Sequence, residues 1–445
     1  MGELKRVVYG FLGGGFSDDF PYGSQRPTNE AGLAPFRDMQ NMIWSQGALR
    51  NAWKWTALDA TVYTNPTIDG NLGSRQETTA TNAQSVVGGA MISTSFQSQR
   101  AYIVITDGEV FVGGLPMNPT YATGTTQQAN GSYNVFGDGT AWNERGIKPG
   151  DLIKNQDPDV DNEWQVITEV PYDELVRVAT TVSGSMGGGL LYPYTIRRTF
   201  LRGVIPGKVS WAILNGDLYV ACQGAGIDPS GLTSGWCVLK VADVFGTPVE
   251  ATYILSTWDV TGSIPARSIV DSIDEIVGLQ ATADGRIVLA TNEDGLGNRI
   301  RWCSFRDVTD WTGEEAGFTD LATGTADIKC LSRIGETLVA YFADSIHIGV
   351  PTHQQHLPYT WQKVPAARMG TRWYRGACES KHGNLVVGSD GHFYIFDGNE
   401  MIQLTDNTIR KYTSGPDQVY LTGETVSGEI ATATWSIVDG SVMVA

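Results

Sequence analysis

The chain has 445 residues, 41% of them apolar, which is enough hydrophobic material for one large core or several small ones. A formal charge of -17 argues against a duplex-binding face, which needs clustered Lys and Arg, though not against DNA as a neighbour that must slide past without sticking. Glycine, at 53 residues against 18 prolines, exceeds its roughly 7% average usage, so many tight turns are expected.

The chain opens with "MGELKRVVYG", which lacks the apolar stretch of a secretion signal, and no later run approaches the roughly 20 residues of a membrane span. Folding in a cytoplasm is the expectation. "FLGGGF" (11–16) lacks the Lys and the following helix of a phosphate loop and reads as a bend. The one helical candidate is "GLAPFRDMQNMIWSQ" (32–46).

Beyond it the chain reads as strands. "RAYIVITDGEVFVGG" (100–114), "VSWAILNGDLYVAC" (209–222), "GRIVLATNEDG" (285–295), "ETLVAYFADSIHIGV" (336–350), "GNLVVGSDGHFYIFDGN" (383–399) and "ATWSIVDGSVMVA" (433–445) are short and rich in β-branched and aromatic residues. Most contain a hairpin turn. The Asp-Gly pairs at Asp107-Gly108, Asp284-Gly285, Asp390-Gly391, Asp397-Gly398 and Asp439-Gly440 follow from hairpin geometry, because such residues tolerate positive φ at low cost.

The strand groups recur. Starts near Val86, Val209, Ile276, Ile328, Tyr374 and Thr425 leave the last five separated by about 67, 52, 46 and 51 residues, close to the roughly 40 to 50 of a four-stranded propeller blade. The longer first gap contains a stretch of different texture, about Thr120 to Arg198, with its own short strands and a Pro-Gly-Asp turn. The expectation is therefore an all-β chain: a β-propeller of about six blades with a small inserted β-barrel-like domain. Residues 1–118 would hold the N-terminal segment and first blade, 119–199 the insert, and 200–445 the remaining blades. "RVVYGFL" (6–12) would complete the last blade and remove its free edge.

Candidate chemistry is sparse. Cys222, Cys237, Cys303, Cys330 and Cys378 are odd in number and scattered with no close pair, which signals neither a disulfide framework nor a zinc knuckle; buried free thiols are expected. His353 and His356, with His347 upstream, lack a third ligand at matching spacing, and Pro351 and Pro358 make the segment a loop. In "NQDPDVDNE" (155–163) the alternation of Asp157, Asp159 and Asp161 resembles a calcium loop, but Asn162 stands where Gly is needed and Thr168 where the bidentate Glu belongs. It reads as an exposed acidic loop, ending in Glu163. A glycosidase would need two carboxylates roughly 5 Å apart. Asp307, Asp310, Glu314 and Glu315 can be nominated, but without a nucleophile constellation nearby.

"RWCSFRDVTDWTG" (301–313) sets Trp302 and Trp311 on either side of an acidic turn. Trp302 occupies an inward-facing strand position, and Trp311 returns from the Asp307–Asp310 turn to cover the blade, each with roughly 200 Å² of aromatic surface to bury. The segment reads as a structural clasp.

Three stretches together resemble one family, the tail nozzle or tail tubular proteins of short-tailed bacteriophages. The first is "DMQNMIWSQGALRNAWKW", with Asn41, Gly47, Leu49 and Arg50. The second combines Arg299, Arg301, Trp302 and Ser304 with Asp307, Asp310 and Trp311, followed by the expected "IKCLSRIGETLVAYFADSIHIG". The third is the Gly, aromatic, "DGfY-f-G" pattern carried by Gly370, Tyr374, Gly376, Asp390, Gly391, Tyr394 and Gly398. "FGDGTAWNERGIKPGDLI" is similar to a small module of phage tail and neck proteins. The resemblance covers most of the chain; it departs at Cys303, where the family has a small or apolar residue, and at "THQQHLPYTW", which does not follow the family's "G-x-P-x-x-F" form.

The resemblance implies a structural virion protein, not an enzyme and without cofactor. It would be a homo-oligomer, a hexamer, forming a ring below the head-tail adaptor ring in the virion tail, assembled in the host cytoplasm. Genomic DNA would pass through its channel without specific binding, and tail fibres or a tip protein are further candidate neighbours. Asp157, Asp159, Asp161 and Glu163 are the candidates for the channel or tip. The alternative is a carbohydrate-binding or glycan-cleaving β-propeller acting on host surface glycans, which 13 tryptophans and 17 tyrosines would permit.

Overall fold

The computed structural model describes residues 42–45, 48–51, 86–93, 100–106, 109–113, 115–156, 164–181, 191–199, 209–223, 235–257, 264–321, 327–352, 354–374, 376–380, 383–403, 433–435 and 442–444. Within them the chain is all-β, and its one helical element is a 3-10 turn at Ala266–Ser268. Two compact units appear. One comprises the described parts of Met1–Ala57, Ala326–Pro351 and Tyr359–Ala445, and the other those of Leu58–Thr325 and Thr352–Pro358.

The helical candidate at 32–46 is corrected where it is described. Met42–Ser45 is a strand, paired antiparallel with Ala48–Asn51, Trp44 opposite Leu49 and Ile43 opposite Arg50. Bulky Ile43 and Trp44 favour extended backbone, and the two residues between Ser45 and Ala48 suit a hairpin better than a continuing helix.

The second unit holds three four-stranded antiparallel sheets, each with its strands in sequence order. The Val86 sheet runs through Val86–Ser93, Arg100–Thr106, Val110–Val112 and Leu115–Pro116. The Ser210 sheet has Ser210–Leu214, Asp217–Gln223, Trp236–Val241 and Thr252–Ser256. Ile273–Ala281, Ile287–Glu293, Leu296–Trp302 and Gly317–Asp320 make the Ile273 sheet. Two-residue loops close tight hairpins at Asn215-Gly216 (φ 54° and 88°) and Asp294-Gly295 (φ 52° and 74°); positive φ at both positions matches the right-handed twist of the flanking strands.

Alternation decides how these sheets pack. In the Asp217–Gln223 strand, Leu218, Val220 and Cys222 enter a core shared with Ile103, Ile105 and Val112 of the Val86 sheet. Tyr219 and Ala221, on the other face, join Ile276, Leu279 and Leu289 of the Ile273 sheet. A strand buried on both faces must be apolar throughout, which is why "LYVAC" shows no polar alternation.

Thr120–Tyr121, Tyr194–Arg197, Leu152–Asn155, Gln165–Tyr172, Leu175–Val178, Asn134–Asp138 and Thr125–Gln128 form a seven-stranded sheet in that spatial order. Thr126 and Tyr192 exchange two backbone hydrogen bonds of 2.8 and 2.9 Å, so the last strand meets the segment leading into Tyr194–Arg197 and the sheet closes on itself. Trp142, Ile153, Ile167, Val176 and Ile196 fill its core, where Trp142 Nε1 donates to the Tyr194 hydroxyl at 2.9 Å.

The first unit has two further four-stranded sheets, Cys330–Ile334, Thr337–Tyr341, Ile346–Pro351 and Tyr359–Lys363, then Ala377–Ser380, Gly383–Val387, Phe393–Phe396 and Met401–Gln403. Val339, Tyr341 and Ile346 share a core with Val386, Tyr394 and Phe396. A last hairpin joins Ala433–Trp435 to Val442–Val444. The strand expected at 6–12 and the start expected at Thr425 lie outside the described residues.

Candidate functional site

The segment 301–313 is an interlock between sheets. Trp302 ends the third strand of the Ile273 sheet, 2% exposed, with its ring over Gly317 and its Nε1 donating to the Glu315 carbonyl at 3.2 Å. The chain then turns. Ser304 Oγ donates to Asp310 Oδ2 at 2.7 Å, Gly313 N to Asp310 Oδ1 at 2.9 Å, and Thr309 N and Oγ1 to Asp307 Oδ1 at 3.0 and 2.7 Å. The Thr309 hydroxyl, then its amide and the charge of Arg267, hold the Asp307 carboxyl below the usual carboxylate range.

Trp311 emerges from this turn 1% exposed and packs in the core shared by the Ser210 and Ile273 sheets. Its Nε1 lies 2.9 Å from both the Ile254 and Val308 carbonyls. The 3-10 turn that follows the Ser210 sheet holds the same loop: Trp311 N donates to the Arg267 carbonyl, Ser268 Oγ to the Thr309 carbonyl, and Arg267 pairs with Asp307. Sequence reading placed this clasp within one blade. The structure makes it a tie between two sheets, because Ile254 belongs to the preceding one.

A buried charge cluster lies in the Ile273 sheet. Glu293, fully buried, accepts from Arg301 Nε and Nη2 at 2.8 and 2.6 Å and from Arg299 Nη1 at 3.0 Å; Arg299 also grips Asp320 with two bonds of 2.8 and 3.1 Å. Burial opposes ionisation of Glu293, but the hydrogen bonds and charge of Arg301, with Thr291 and Arg299, overcome it and bring the carboxyl down to about 2. Phe318 covers the pair, its ring 3.9 Å from the Arg299 guanidinium and its other side in solvent. Sequence reading noted both arginines but missed Glu293. The available signal was alternation, since Arg299 and Arg301 fall on one face of a strand hairpin-linked to Glu293.

Arg286 was also missed. It is 1% exposed and spends its guanidinium on carbonyls: Cys303 and Glu315 from Nη1, and Gln355 from Nη2, each at 2.8 Å, with Nε on Asp284. Nothing in an Asp-Gly-Arg turn announces three distant carbonyl partners.

The third stretch is spent on turns and close approaches. A Cβ at Gly370 would stand 2.2 Å from the Phe342 carbonyl oxygen, and one at Gly376 2.2 Å from Thr371 Oγ1. Gly391 has φ 88°, while Asp390 accepts from His392 N and the Tyr394 hydroxyl. Tyr374 is half-buried. Arg50 lies in the Ala48–Asn51 strand. Asn41, Gly47, Asp157, Asp159, Asp161, Glu163 and His353 lie outside the described residues.

His347 is buried with its ring 5.1 Å from Phe342, and His356 is exposed with Nδ1 2.8 Å from the Glu314 carbonyl, so the two serve different units. Among the described residues no group of three His, Cys, Asp or Glu side chains is arranged to hold a metal ion. No helix there is long and apolar enough to cross a membrane.

No family model matches the chain, and no curated protein sequence matches it. Among solved structures it is similar to phage phi92 endosialidase, with a TM-score of 0.31 and 9% identity over 81% of this chain and 62% of that one. It is also similar to dihydro-heme d1 dehydrogenase NirN in complex with DHE, with a TM-score of 0.26 and 9% identity over 57% of this chain and 42% of that one. The chain thus spans less than two thirds of the length of either, and at these scores no function follows from the likeness.

Proposed function

We propose that this chain is a structural subunit of a short-tailed phage tail, a nozzle protein that assembles as a six-membered ring below the head-tail adaptor and surrounds the path of the genome. The observation that carries the reading is the fate of the motif residues. Ser304, Asp307, Asp310 and Trp311 are engaged in an internal tie between sheets, as expected of a motif kept for architecture. Repeated four-stranded sheets with shared cores fit a propeller, and a self-closed seven-stranded insert supplies the second, different face that a cyclic assembly requires.

The charge supports the same reading. A ring of six copies multiplies the net charge of -17, and acidic loops facing the bore would repel outgoing DNA from the wall. Negative-stain electron microscopy of the purified chain, alone and with an adaptor ring, tests it. Six-fold rings with a central hole are expected; monomers under both conditions would overturn it. Asp157→Asn, Asp159→Asn and Asp161→Asn together should leave assembly intact and alter DNA retention or release.

The second reading, binding of host glycans, is favoured by one surface feature. Phe136 and Tyr172, 50% and 68% exposed, both register with Leu175 on the seven-stranded sheet. Rings in such a row suit the apolar faces of sugars. Glycan-array binding that disappears in Phe136→Ala/Tyr172→Ala would favour it.

A further inference from the structure

Two of the five scattered cysteines meet in space. Cys222 and Cys237 are directly opposite in the antiparallel pairing of Asp217–Gln223 with Trp236–Val241. Opposed residues in such a ladder have Cα atoms about 4.5 or 5.5 Å apart, and both values fall within the roughly 4.4 to 6.8 Å that a disulfide spans. Period-2 alternation sends both side chains to the face shared with the Val86 sheet, and the two sulfurs stand 3.5 Å apart, with neither residue exposed. Cys303 instead accepts from Ile287 N with its sulfur, and Cys330 belongs to the other unit.

We propose that Cys222 and Cys237 are an oxidisable dithiol that closes into one disulfide across the centre of the Ser210 sheet. Register and direction are already set, so closure needs side-chain rotation and no strand movement. The bond would clamp both ends of the segment between the two strands. This inference is independent of the nozzle reading and stands or falls without it.

The oxidant must be small, because both sulfurs lie in a packed core; a hydroperoxide fits. Burial and the hydrogen bond with Cys237 hold the Cys222 thiol well above the usual range, against the opposing influence of Lys148. One of the two sulfurs attacks the peroxide and breaks its O–O bond, giving a sulfenic acid and releasing an alcohol, or water from hydrogen peroxide, with the thiol proton. The other sulfur then displaces the hydroxyl, which leaves as water with the second thiol proton. Two thiols are oxidised by two electrons and one peroxide is reduced. Burial of both sulfurs makes the first step slow, on the timescale of local opening of the sheet.

The test uses the full chain, freed of reductant and exposed to hydrogen peroxide over hours. Remaining thiols are alkylated under denaturing conditions and the protein is digested without reduction for mass spectrometry. The expected product is a single cross-linked peptide pair joining Cys222 to Cys237, about 2 Da lighter than the two thiol peptides, while Cys303 remains alkylatable. Free thiols at both positions after Cys378 has been consumed, over-oxidation of either without cross-link, or bonding to another cysteine would overturn the proposal. In parallel, the thermal midpoint of the oxidised protein should rise by roughly 5 °C, as expected for closing a loop of this size. Cys222→Ala/Cys237→Ala should show no oxidant-dependent rise, and an equal rise would count against the proposal. If that variant does not fold, the peptide map of the unmutated chain decides alone.

Discussion

The indole nitrogen of Trp311 and the carbonyl oxygen of Ile254 lie 2.9 Å apart, a hydrogen bond between residues 57 positions apart that joins two sheets of one unit. Because the ring is also packed in their shared core, the two contributions separate by substitution. Trp311→Phe keeps most of the packing but leaves the Ile254 carbonyl without its donor, at a cost of about 1 to 3 kcal/mol. Trp311→Ala also opens a cavity and costs about 3 to 5 kcal/mol. Urea unfolding measures both; a Trp311→Phe variant as stable as the unmutated chain would show that the hydrogen bond contributes nothing.

Asp310 orders the loop that delivers Trp311. Asp310→Ala strands Ser304 Oγ and Gly313 N and should cost about 1 to 3 kcal/mol, with Asp310→Asn in between because an amide keeps one acceptor. Gly313→Ala attacks the same contact from the other side, since its Cβ would stand 2.2 Å from Asp310 Oδ2. Each substitution should lower the thermal midpoint and speed hydrogen exchange at the Trp311 amide, which donates to the Arg267 carbonyl. A midpoint loss without a change in that exchange would place the effect elsewhere.

Acid should weaken the chain through Glu293. Its carboxyl has a pKa of about 2 in the fold against an ordinary 4.5, so the unfolded chain takes up the proton first as pH falls. The stabilisation, on the order of 3 kcal/mol, is complete above pH 4.5 and is lost progressively towards pH 2. Asp307 adds in the same direction. Glu293→Gln should cost about 3 to 5 kcal/mol at neutral pH, because it leaves two buried guanidinium groups short of charge, and should flatten the acid limb of the stability profile. An unchanged acid limb would assign it to other carboxylates.

Arg286 tests geometry at constant charge. Lysine in its place keeps the positive charge but lacks the planar fork that reaches the Cys303, Glu315 and Gln355 carbonyls together. Arg286→Lys should cost about 2 to 4 kcal/mol, with backbone amides near Gln355 exchanging hydrogen faster than in the unmutated chain. Unchanged exchange there would show that the 352–358 loop is held by other contacts.

Much of the local architecture was legible in the sequence. Runs such as "SWAILNGDLYVAC" carry β-branched and aromatic residues around an Asn-Gly turn, and both signals act over two or three residues, so strands and hairpins appear where the pattern places them. The 32–46 stretch misled because spacing alone does not separate a short apolar strand from a helix edge; Ile43 and Trp44 were the better guide.

The sequence by itself determined the all-β class, the succession of strand groups, the positive-φ turns and the acidic balance, since each depends on neighbours along the chain or on a sum over it. Only the tertiary structure decided which residues meet: Trp311 with Ile254, Glu293 with Arg299 and Arg301, Arg286 with three carbonyls, Cys222 with Cys237. Those partners follow from strand register and from which sheet faces which. Both are set by burying apolar faces between segments tens of residues apart, and that requirement is satisfied by the whole core at once rather than by any local pattern.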